Sequence, residues 1–112
     1  MSSGPVGAHQ ESFEKGLRFL ATALALDIDH RHGGAITSAA CDAIRCFVQV
    51  FEAAAAMHLP DTEGEIHRLR NQLEALLTPG QDAESAARHA IEAAGLARDQ
   101  AAALLPRLSA KL

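Results

Sequence analysis

Residues 35–58 read AITSAACDAIRCFVQVFEAAAAMH. The first half, with Ala35, Ser38, Ala39, Cys41, Asp42 and Ala43, is built of small side chains. The second half carries Ile44, Phe47, Val48 and Phe51, then Ala54 and Ala55. Small residues let a neighbouring helix approach closely, and larger ones fill the wider end of the gap. A segment this apolar on more than one face predicts the central helix of a bundle, touching two neighbours or a second subunit. Leu59-Pro60-Asp61 ends it.

Three further segments carry helical periodicity. Upstream, roughly residues 10–31 place Phe13, Leu17, Leu20, Leu24 and Ile28 at spacings of three and four, one apolar stripe. That segment closes on His30, Arg31 and His32, cations suited to a helix C-terminus, and on Gly33-Gly34, which can stop a helix. Downstream, Thr62-Glu63-Gly64-Glu65 has the form of a capping box, followed by the stripe Ile66, Leu69, Leu73, Leu76 and Leu77. Thr78-Pro79-Gly80-Gln81 offers another cap with proline at the first helical position. A fourth segment then runs to about residue 105, with Ala83, Ala87, Ala90, Ile91, Ala94, Ala97, Ala101, Leu104 and Leu105 on one face. Gly95 weakens it, and Pro106 is expected to end or kink it.

Connections of two to five residues force consecutive helices antiparallel. The expected fold is all-α, an up-and-down four-helix bundle with a short third helix, or three helices with that segment as a connector. Residues 1–9, rich in Ser, Gly and Pro, read as a flexible tail, and residues 10–112 as one bundle domain.

Composition agrees. Twenty-four of the 112 residues are alanine, and there is no Trp or Tyr, which disfavours a β-sandwich or barrel. The net charge is −4, and no Lys/Arg run provides an electrostatic footprint for nucleic acid or an anionic membrane. A weaker option, RNA binding through His67, Arg68 and Arg70, runs against that acidic total. No 18-residue apolar stretch lacks polar interruption, and the N-terminus has no signal-peptide pattern, so no membrane segment is expected. Cys41 and Cys46 lie about 140° apart around a helix and match neither a CxxC nor a zinc pattern. They read as buried thiols in a reducing, cytoplasmic setting.

Two polar constellations could carry chemistry. Asp27 with His30, and Asp29 with His32, are i,i+3 pairs that could supply metal ligands: Asp27, His30 and His32 are the candidate set. The plain alternative is an exposed helix end with local ion pairs, since no Glu-x-x-His repeat supplies ligands from a facing helix. Asp42, Arg45, Gln49 and Glu52 form one polar strip along the apolar second helix. Asp42, Arg45 and Gln49 are the candidate ligand-binding set if that strip lines a cavity. If it faces water, it is a solvated face. No G-x-S-x-G, Walker or G-x-G-x-x-G motif occurs, and no cofactor is expected.

The run from Leu26-Asp27-Ile28-Asp29-His30-Arg31-His32-Gly33-Gly34 through Ala43-Ile44 resembles the core of small bacterial HEPN-type domains. There, a helix ends in a short polar turn before an Ala-rich second helix. The segment from Asp82-Ala83-Glu84 to Leu104-Leu105 is similar to their closing helix. The resemblance implies a helical bundle that commonly dimerises and often belongs to toxin–antitoxin, defence or nucleotidyltransferase-associated systems. Active members cut RNA with an Arg and a His separated by four to six residues. No arginine of this chain has a His at that spacing, so the resemblance implies a non-catalytic member and transfers no functional residue.

These readings lead to an expected function: a non-catalytic helical interaction module, pairing with itself or with another protein. Ile44, Phe47, Val48 and Phe51 are the candidate interface. The alternative is a small bundle enzyme or ligand- or metal-binding protein with a polar pocket built from Asp42, Arg45 and the Asp27–His32 corner.

Overall fold

The computed structural model describes residues 5–28, 33–78, 80 and 82–111, with residues 5–8 and 109–111 as backbone only. Four helices follow in order: α1 (Pro5–Ile28), α2 (Gly33–Ala56), α3 (Thr62–Leu77) and α4 (Ala83–Lys111). The fold is an all-α bundle whose third helix, at 16 residues, is the shortest.

The helix ends depart from the sequence reading in instructive ways. Helix α1 begins at Pro5, so residues 5–9 belong to the helix and not to a tail, and His9 is buried. Pro at a helix start loses nothing, because its missing N–H would be unpaired there anyway. Gly33 and Gly34 open α2 and do not terminate α1. A Cβ on Gly33 would stand 2.7 Å from the Ala83 carbonyl oxygen, so this glycine lets the starts of α2 and α4 touch. Helix α2 ends at Ala56 in a Schellman arrangement. The Leu59 N–H donates to the Ala54 carbonyl (3.1 Å) and the His58 N–H to Ala55 (3.0 Å), with His58 left-handed at φ 60°.

The capping box expected at Thr62 does not form. Thr62 is the first helical residue, its hydroxyl donates to the Leu59 carbonyl (3.0 Å), and Glu65 turns to Arg68 instead. The cap expected at Thr78 also moves. Thr78 closes α3, its hydroxyl donating to the Glu74 carbonyl at 2.8 Å. Asp82 caps α4, accepting from the Ser85 N–H at 3.0 Å. Pro106 neither ends nor breaks α4, which runs on to Lys111. Proline deprives only the Ala102 carbonyl, on an exposed turn, and fully buried Leu108 holds the final turns to the core.

Helix α2 is the hub. It packs against α1, α4 and α3; α1 also meets α4, while α3 touches α4 only lightly. The molecule is correspondingly flat, 43 × 29 × 17 Å. Alanines permit the close α2–α4 pairing: Ala40, Ala43 and Ala54 on one helix and Ala90, Ala94, Ala97 and Ala101 on the other have no exposed surface. Phe47, Ile44, Leu69, Leu108 and Val50 fill the remaining volume. By length and composition α2 could cross a membrane, but most of its apolar window is buried inside the bundle. A core position accounts for the same composition.

On α1 the buried line is not the stripe expected from periodicity. His9, Gly16, Leu20 and Ala23 face inward, with Phe13, Phe19 and Leu26 half-buried. Gly16 decides this: the Phe47 ring lies so close that a Cβ there would meet it at 2.5 Å, and Phe13 tilts against the same ring with centroids 5.6 Å apart. Leu17, Leu24 and Ile28, roughly 80–120° around the helix from Gly16, are left 37%, 40% and 75% exposed.

Candidate functional site

The polar strip of α2 follows its exposed arc. Arg45 donates to Asp42 at 2.9 Å, with side chains 52% and 39% exposed. The Ser12 hydroxyl of α1 donates to Gln49 at 2.7 Å, and Arg70 of α3 pairs with Glu52. The strip therefore ties α2 to its flanking helices and meets solvent along its length. Gln49 is engaged with α1 and, among the described residues, does not line the cleft that Arg45 borders.

Of the residues expected to build one pocket, Asp27 and Arg45 line two different clefts at the start of α2. On one side, Asp27, Gly33, Ile36, Glu84, Arg88 and Glu92 line a cleft of about 330 Å³. On the other, Gly34, Thr37, Ser38, Cys41 and Arg45 form one wall of a separate cleft of about 370 Å³, closed by Leu76, Leu77, Ala83 and Ala86. His30 and His32 lie outside the described residues. Among the described residues, no group of three or more His, Cys, Asp or Glu could hold a metal ion.

The candidate interface on α2 is consumed by the fold itself. Ile44, Phe47, Val48 and Phe51 are all buried by the chain's own helices. A partner would meet other residues. Among the described residues, the large apolar side chains open to solvent are Leu17, Leu24 and Ile28 on α1, Leu77 on α3 and Leu96 on α4. The α1 residues lie in the expected apolar stripe, but the sequence pattern did not show which flank of it the core would leave uncovered.

Electrostatic perturbations are modest and local. Burial pushes both thiols above the ordinary cysteine value; Arg45 partly offsets this at Cys41 and Lys15 at Cys46, while Asp42 adds to it at each. Such thiols are protonated and unreactive at neutral pH. Glu65 is held below the usual carboxylate value, chiefly by its hydrogen bonds from Arg68 (2.8 and 3.2 Å). Arg68 also donates to Gln100 at 3.0 Å, joining α3 to α4. These interactions pin helices together.

No protein-family model matches the chain, and no curated protein or solved structure is significantly similar to it.

Proposed function

We propose that the chain is a non-catalytic helical module that associates with a second copy of itself through the exposed edge of α1. The observation that carries this reading is the line Leu17, Leu24 and Ile28, exposed although its periodicity is that of a buried face. Ala21 lies between them and is also exposed. The spacing is symmetric. A two-fold axis between Ala21 and Leu24 sets Leu17 of one copy against Ile28 of the other, and each Ala21 against a Leu24. At the centre large meets small, and the contact is isologous, so it closes as a dimer and goes no further. The stripe spans only about 16 Å of helix, so the pairing is weak, on the order of micromolar.

The resemblance to HEPN-type domains supports the same reading, since those commonly dimerise. On that basis the module belongs to a toxin–antitoxin or defence-type system in a bacterial cytoplasm, with protein and not nucleic acid as its partner.

Light scattering across a concentration series tests the proposal. Twice the 11.8 kDa chain mass is expected at high micromolar concentration, reverting to one chain in Leu24→Glu and in Ala21→Arg. Ala21 is exposed, so its replacement leaves the fold and the helical circular dichroism unchanged. A single-chain mass at every concentration overturns the reading, as does a dimer indifferent to both substitutions.

A further inference from the structure

Helix α3 is held unevenly along its length. Its buried side chains, Thr62, Ile66 and Leu69, all lie in the first half. Two polar ties lie there too: Arg68 donates to Gln100 of α4, and Arg70 pairs with Glu52 of α2. Beyond Arg70 no side chain of α3 is buried. Leu73 and Leu76 are half-buried, and Leu77 is 52% exposed. On α2 and α4, by contrast, buried residues recur along the helix, from Ile36 to Ala54 and from Ala86 to Leu108.

The same half of α3 carries an internal cost. The side-chain carbonyl oxygen of Gln72 is closed to solvent and has no hydrogen-bond partner. An acceptor buried in this way destabilises the packed state relative to one in which water reaches it. At the tip, Leu76, Leu77 and Thr78 border a cleft of about 370 Å³ that Cys41 of the hub also lines. Side chains facing such space forgo part of the dispersion attraction of a filled interior. Little buried apolar area, an unmet acceptor and loose packing at the tip all lower the free energy of opening this half.

The two thiols of α2 stand differently toward it. Cys41 has no exposed surface although it borders the cleft beside Leu76 and Leu77. Cys46 lies about 140° around the helix, where Lys15 of α1 acts on it, and is 7% exposed. The closed surface therefore ranks Cys46 as the more accessible thiol.

We propose that residues 71–77 form a flap, hinged at the pinned Leu69, that opens far more often than the bundle unfolds and uncovers Cys41 but not Cys46.

Native-state hydrogen exchange on the isotope-labelled full chain, in urea below the unfolding transition, tests this. Amides of Gln72, Leu73 and Leu76 are expected to share one opening, at least about 100-fold more frequent than that of Ile44, Phe47 and Val50, with a much shallower urea dependence. Gly16→Ala, which strains the contact between α1 and Phe47, should speed exchange in α2 and leave the flap unchanged, since the flap opens with α1 in place. Gln72→Met removes the unmet acceptor and should slow the flap by about fivefold. With iodoacetamide, Cys41 in the Cys46→Ala variant should react faster than Cys46 in the Cys41→Ala variant, the reverse of their order of exposure. The proposal is overturned if flap and hub amides exchange at one rate with one urea dependence, if Gly16→Ala speeds both alike, if Gln72→Met does not slow the flap, or if Cys46 reacts first.

Discussion

Gly16 and Gly95 are both interior helical glycines, and the structure gives them opposite value. At Gly16 the Phe47 ring occupies the space a methyl group would need. Phe47 is fully buried and cannot swing away. Gly16→Ala gains about 1 kcal/mol of helix propensity but incurs overpacking of about 1–3 kcal/mol. A net loss of up to about 2 kcal/mol is expected in urea unfolding. Gly95 has nothing within 4 Å of the position a Cβ would take, so Gly95→Ala should stabilise by about 0.5–1 kcal/mol and raise the melting temperature. In the sequence the two positions look alike, because a hydrophobicity pattern does not record which glycine a neighbouring ring rests on. That blindness also explains the misplaced face of α1. Its apolar stripe is real, but Gly16, silent in any hydrophobic count, turns the helix so that half the stripe faces outward.

The elements themselves were legible. Four apolar periodicities of three and four became four helices, and the richest of them, residues 35–58, became the hub. Their ends were not, because several residues competed for each cap. Thr62, Thr78 and Asp82 are all competent N-caps, and only the path of the chain selects Asp82 to start α4 while Thr78 finishes α3. Pro106 was read as a stop because its local cost is visible, whereas the long-range burial of Leu108 is not. The end of α2 shows a further compromise. His58 occupies the left-handed position of a Schellman motif, where a side chain costs about 1 kcal/mol and glycine costs none. His58 is exposed, so His58→Gly should stabilise by about 1 kcal/mol in thermal or urea denaturation. A decrease would mean that the imidazole makes a contact that outweighs the backbone strain.

At the scale of the whole molecule, the two thiols link the core to pH. Folding raises the pKa of Cys41 and Cys46 above its ordinary value through burial. Their contribution to stability is therefore complete below the ordinary thiol range and is lost as pH rises from there toward the folded values. The urea midpoint should fall between pH 8 and pH 10 (about one unit either side of the reference value of 9.0). The fall should shrink in the Cys41→Ala, Cys46→Ala double variant; an equal fall there would assign it to other groups. The candidate site was only half legible at this scale. Arg45 was identified for its charge, but the cleft it borders depends on the juxtaposition of α2, α3 and α4.

The uneven packing around α2 has a consequence for how the bundle opens. Helix α3 rests mainly on one neighbour, while α1 and α4 each engage two of their fellows closely. The free energy needed to detach α3 is therefore a fraction of that for global unfolding. Detachment would bare the side of the hub that carries Thr37 and Cys41 while the α1–α2–α4 trio stays assembled. The molecule thus has a built-in hinged panel, whose opening leaves the rest of the protein unmelted.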